Sequence, residues 1–138
     1  MARIIGIDYG TKRVGLAVTD PLQIIASPLE TVRAHLLEDY LKKYCQQEDT
    51  EAFVVGMPLN LDNSDTDATN HVRGFVKRLK KTFPEKAIHL QDERFTSKDA
   101  LSAMIAGGTS KKYRREKGNI DKVSATLILQ SYLEKKSI

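Results

Sequence analysis

The stretch RIIGIDYGTKRVGLAVTD, residues 3–20, decides the fold. Ile4, Ile5, Gly6 and Ile7 run without polar alternation, as expected of a strand covered on both faces. Residues 9–13 (YGTKR) carry turn chemistry, and VGLAVTD resumes as a second strand, so a hairpin is expected. Pro21 ends that strand, because proline has no N–H to give to a ladder. Within the stretch Asp8 is the odd residue, a carboxylate at the tip of an element that must be buried.

Working outward, IIASPLETV (24–32) reads as a third strand and HLLEDYLKKYCQQ (35–47) as a helix, with Leu37, Tyr40, Leu41 and Tyr44 at helical spacing. A βα unit follows. AFVVGMP (52–58) is a short apolar strand. After a polar loop, Ala68, Val72, Phe75, Val76 and Leu79 mark a helix that ends before Pro84. KAIHLQDER (86–94) is a further strand. Thr96 and Asp99 have the spacing of a capping box opening the helix DALSAMIA, which Gly107 and Gly108 stop. The last helix spans about 119–135. The order β-β-β-α-β-α-β-α-α predicts an α/β fold with a mixed sheet and helices on both faces. No repeat or composition break divides residues 1–138, so one domain is expected.

The 138 residues suffice to bury most of a core. No stretch approaches eighteen consecutive apolar residues, so no membrane helix is expected, and no leader segment is expected from the opening residues. Cys45 is the only cysteine, which leaves no internal disulfide and suggests a reducing, cytoplasmic setting. The net charge of +4 is concentrated: GGTSKKYRREKG (107–118) holds five basic residues against one acid. A second cluster, Lys77, Arg78, Lys80 and Lys81, closes a helix, where the helix dipole alone favours it. Basic patches of the first kind suit a polyanion, nucleic acid above all.

Three acidic positions stand in three places. Asp8 ends the first strand, Asp92 and Glu93 end the strand before Arg94, and Asp121 lies in the first turn of the final helix. Each has an ordinary reading as a turn cap, a helix cap or a solvated strand end. In sheets of this type, however, chemistry collects beyond the carboxyl ends of parallel strands. Clustered carboxylates repel unless a cation sits among them. Hard divalent ions such as Mg²⁺ or Mn²⁺ prefer oxygen ligands. Two of them about 4 Å apart activate a water and stabilise the leaving oxygen of a phosphodiester.

Four blocks, GIDYGTKRVGLAVTD, VVGMPLNLD, DERFTSKDA and DKVSATLILQSYL, resemble in order the signature blocks of the YqgF family. Its members are described as pre-16S rRNA nucleases and as Holliday junction resolvases. The resemblance spans essentially the whole chain. It implies a ribonuclease H-like fold close to RuvC-type resolvases, with a five-stranded mixed sheet whose first three strands form an antiparallel meander. It also implies a two-metal site of Mg²⁺ or Mn²⁺ held by Asp8, an acid of the DER block, and Asp121. The family pattern favours Glu93 within DER. Asp92 and Glu93 point to opposite faces of a strand, so Asp92 is kept in reserve. Asn63 stands where the family commonly has glycine, and Ser124 where alanine is frequent; neither is a proposed ligand.

The expected reaction is metal-dependent hydrolysis of a phosphodiester, catalysed by Asp8, Glu93 and Asp121. The favoured substrate is the 5′ end of pre-16S rRNA during ribosome biogenesis, with ribosomal particles as possible partners. Branched DNA is the alternative substrate, and a non-catalytic RNA- or ribosome-binding module the alternative of another class. Lys12, Arg13 and Arg94 are candidate phosphate contacts, and Asn60 and Asp62 candidate substrate-orienting residues. In the basic loop Lys111, Lys112, Arg114 and Arg115 would follow a backbone, while Tyr113 would stack on an unpaired base, a contact worth about 1–3 kcal/mol. Junction resolution usually requires a two-fold dimer; no coiled coil or apolar patch announces one, so a monomer or weak dimer is expected. DYGTKRVG also resembles the first phosphate loop of the sugar-kinase and actin ATPases, but those bind nucleotide between two domains.

Overall fold

The structure is a computed structural model, and it describes residues 2–58, 67–92 and 120–136. Its five strands are β1 (Arg3–Tyr9), β2 (Arg13–Thr19), β3 (Ala26–Arg33), β4 (Thr50–Met57) and β5 (Ala87–Asp92). They form one sheet in the order β3-β2-β1-β4-β5. The meander β1-β2-β3 is antiparallel, whereas β4 and β5 run parallel to β1. A 3₁₀ turn (Ala34–Leu36) leads into α1 (Leu37–Gln47); α2 (Asp67–Thr82) joins β4 to β5, and α3 (Ile120–Lys136) is the final described helix. The expected helix at 99–106 lies outside the described residues.

β1 is central, and Ile4 to Ile7 are buried without a break. Its side chains divide between two cores. Ile5 and Ile7 join Val14, Leu16, Phe53, Val55 and the stripe Val72, Phe75, Val76 and Leu79 of α2, with Leu37 and Leu41 of α1. Ile4 joins Ala17, Ala26, Ala52 and Val54 beneath Ala125, Ile128, Leu129 and Leu133 of α3. The first core is bulky, whereas the sheet side of the second includes Ala17, Ala26 and Ala52, so α3 lies very close to the sheet. A Cβ on Gly6 would stand 2.7 Å from Leu129 Cβ, and one on Gly15 only 1.9 Å from the Asp121 carbonyl oxygen. Those two glycines are required by close approach, the commonest meaning of glycine inside a strand.

Two details depart from the sequence expectation, the start of β3 and one position of the α2 stripe. β3 begins at Ala26 instead of Ile24, because the N–H groups of Ile24 and Ile25 donate to Asp20 Oδ1 at 2.9 and 2.8 Å and hold the chain in a loop. Gln23 sits in that loop at φ 58°. Pro28 is accommodated because β3 is an edge strand and the register slips beside it, Leu16 facing Glu30 and Ala17 facing Pro28. In α2 the exposed Ala68 does not join the stripe; its neighbour Thr69 is buried and donates to the Pro58 carbonyl.

Candidate active site

Cross-strand pairing determines which face each acid occupies. Asp8 pairs with Gly15 across the antiparallel β1–β2 ladder, and Gly15 pairs with Thr31 of β3. Directly paired residues share a face of the sheet. The missing side chain of Gly15 would run into the backbone of Asp121, so the face carrying Asp8 is the one α3 covers. On the other side of β1 the parallel ladder runs to Ile7 and Val55, and the next residues along are Asp8 and Gly56. Asp8 is thus flanked on both neighbouring strands by glycine, half-buried at the carboxyl end of the central strand, with the first turn of α3 above it.

Asp121 is delivered there by α3, whose buried residues Ala125, Ile128 and Leu129 lie four, seven and eight positions on, along the helix face turned to the sheet. Its side chain is 23% exposed and accepts a hydrogen bond from Arg13 Nε at 2.9 Å. Arg13 opens β2, two residues before Gly15 and therefore on the same face. The sequence suggested Arg13 as a phosphate contact; the structure places it on a proposed catalytic acid. Lys12, in the exposed turn before it, accepts a hydrogen bond from the Ala34 N–H through its carbonyl at 2.9 Å.

Asp92 occupies the other face. It ends β5 opposite Met57 and lines a cleft with Met57, Arg73, Val76, Lys77 and Leu90, on the side of the sheet that α2 covers. His89 has the opposite orientation and packs with its ring centroid 5.1 Å from that of Tyr132 in α3. Glu93, Arg94, Asn60, Asp62, Lys111, Lys112, Tyr113, Arg114 and Arg115 lie outside the described residues.

Sequence reasoning missed Gly15 and Gly56. Both were readable as glycines interrupting apolar strands, a signal of close backbone approach or of an open floor. Among the described residues no three His, Cys, Asp or Glu side chains group closely enough to hold a metal ion. Asp8 and Asp121 supply two of the three carboxylates proposed for one. Their hard oxygen donors, beside strand positions without side chains, suit a divalent cation.

A family model described as "RuvX: Holliday junction resolvase" matches residues 2–135. The chain belongs to the RuvX, or YqgF, family. Relatives named "Putative pre-16S rRNA nuclease" share this RuvX sequence over nearly their full length. One from Amoebophilus asiaticus is 51% identical over 133 residues, 96% of this chain and 94% of its own. Another from Phocaeicola vulgatus is 48% identical over 136 residues, 99% of this chain and 98% of its own. Among solved structures, Thermus thermophilus RuvC in complex with a Holliday junction substrate superposes with a TM-score of 0.66. That match covers 99% of this chain and 96% of that one at 17% identity. The fold of this RuvX chain is therefore ribonuclease H-like, as the block resemblance implied.

Proposed function

We propose that the chain is a divalent-cation-dependent phosphodiester hydrolase that trims the 5′ end of pre-16S rRNA, working in the cytoplasm on precursor ribosomal particles. The observation that carries this reading is Gly15, which pairs with Asp8 across the β1–β2 ladder and lies directly beneath the backbone of Asp121, so that both acids belong to one face of the sheet. The family membership and the names of its relatives support the substrate class.

Asp8, Asp121 and Glu93 would hold the cation. Strand alternation supports Glu93, since the neighbouring Asp92 faces α2. A pair of Mg²⁺ or Mn²⁺ ions supplies Lewis acidity and an activated water when bound. Among the described residues Arg13 bonds the Asp121 carboxylate through Nε, and its two terminal nitrogens would contact a scissile phosphate, a geometry suited to guanidinium. Lys12 and Arg94 would add positive charge beside the acids. Asn60 and Asp62 would orient the strand, and the 107–118 loop would follow the backbone, with Tyr113 stacking on a base.

The test is cleavage of a precursor 16S rRNA leader and of a four-way DNA junction, in parallel, with Mn²⁺, by wild type and Asp121→Asn. Leader cleavage lost in the variant is expected. Cleavage of the junction alone would transfer the reading to branched DNA, the activity named in the family description. Binding of the leader without cleavage by either protein would indicate a binding module.

A further inference from the structure

Arg13 and Arg33 are directly opposed across the β2–β3 ladder, an arrangement that like charges disfavour. They share a face. Val14 and Val32, the pair between these arginines and the Gly15–Thr31 pair, both point into the core beneath α1 and α2. Alternation therefore places Arg13, Arg33, Gly15 and Thr31 on the α3 side, with Asp8. Arg13 is neutralised by Asp121. Among the described residues Arg33 and Lys12 have no carboxylate partner, and both are exposed. The Ala34 N–H donates to the Lys12 carbonyl, which fixes the Lys12 turn beside the end of β3. Among the described residues two cations without a carboxylate partner thus flank the acid-bearing row at an exposed sheet edge, and no described ion pair uses the charge of Arg33.

We propose that Arg33, with Lys12, forms a phosphate track across the β2–β3 edge, holding the nucleic-acid backbone one or two nucleotides from the bond cleaved at Asp8 and Asp121. The inference deepens the functional reading given above and rests on it. Arg33 is a binding residue: it neutralises backbone phosphate in every substrate and reads no base. Releasing counterions there makes affinity salt-dependent, by roughly one unit of slope per phosphate contact.

The experiment measures binding of a labelled 20-nucleotide single-stranded RNA, and of a DNA strand of the same sequence, to the full chain in EDTA over a salt series. Wild type is compared with Arg33→Ala, Arg33→Glu and, as a control on the α2 face, Lys80→Ala. Arg33→Ala is expected to weaken binding about three- to tenfold and to lower the salt slope by roughly one unit, for RNA and DNA alike. Arg33→Glu is expected to weaken it further, because it replaces a phosphate-binding charge with one that repels phosphate. In Mn²⁺, Arg33→Ala should raise KM for leader RNA and leave kcat nearly unchanged. An unchanged affinity and slope in both Arg33 variants, with wild-type binding intact, overturns this inference alone. A wild type that binds neither strand overturns it together with the functional reading.

Discussion

Asp121 and Gly15 form one device: the glycine exists so that the backbone carrying the acid can lie on β2. Replacing Gly15 with alanine places a Cβ 1.9 Å from the Asp121 carbonyl, which only a backbone shift relieves. Overpacking of this kind costs about 1–3 kcal/mol. Gly15→Ala is expected to lower the urea midpoint accordingly and, by displacing Asp121, to reduce cleavage as well. Asp121→Asn keeps the shape and removes the charge. It should leave Tm within a few degrees of wild type while cutting leader cleavage by more than about 100-fold, beyond the 10–100-fold that loss of an outer-shell partner costs at a metal site. A variant with both activity and Tm preserved would remove Asp121 from the reaction. Asp8 was legible in the sequence because a carboxylate closing an unbroken apolar strand violates the local pattern. The Arg13–Asp121 pair was not, since nothing in spacing links two residues that meet only when the last helix crosses the hairpin.

At the scale of elements, α3 is tied to the sheet by a polar anchor at its middle, and its buried threonine is satisfied within the helix. Gln130, 3% exposed, accepts a hydrogen bond from the Ala26 N–H at 2.8 Å, and Thr126 donates to the Lys122 carbonyl at 2.7 Å. Leu129→Ala is expected to cost about 2–5 kcal/mol, read as a loss of thermal stability, because Leu129 is fully buried against the strands beneath it. The loop between β2 and β3 gives a pH prediction. Partial burial raises the Asp20 pKa, but hydrogen bonds from the N–H groups of Ile25, Ile24 and Leu22 outweigh it, and the net direction is downward from 3.8. A depressed carboxylate stabilises the fold above its unfolded value of about 3.9 and loses that contribution as pH falls through the lower folded value. Urea midpoints of wild type and Asp20→Asn should therefore differ at pH 5 and converge toward pH 3; a constant difference would refute the assignment. The hairpin, the βα unit and the stripe of α2 were readable from turn residues and periodicity. The start of β3 was not, because Asp20 takes N–H groups that the ladder would otherwise use.

Over the whole molecule, the sheet separates two kinds of work. The α1–α2 face holds the bulky core, with the stacked Tyr9 and Phe75 rings at 4.4 Å, and the α3 face holds the acids on a floor of small side chains. Chelation with EDTA should therefore abolish cleavage and leave the far-UV spectrum and Tm close to unchanged, because the hydrophobic packing does not depend on a cation. A metal-free protein that unfolds would contradict that division. The overall topology followed from the order of elements in the sequence, since few arrangements of a meander followed by βα units are compatible with connection rules. The meeting of the acids did not follow, because it depends on which side of the sheet the final helix takes. During synthesis, translation must pass residue 120 before Asp121 can join Asp8. Until then Ile4, Ala17, Ala52 and Val54 lack their cover, so a nascent chain short of α3 exposes one apolar face of its sheet and lacks one of the two carboxylates proposed to work together.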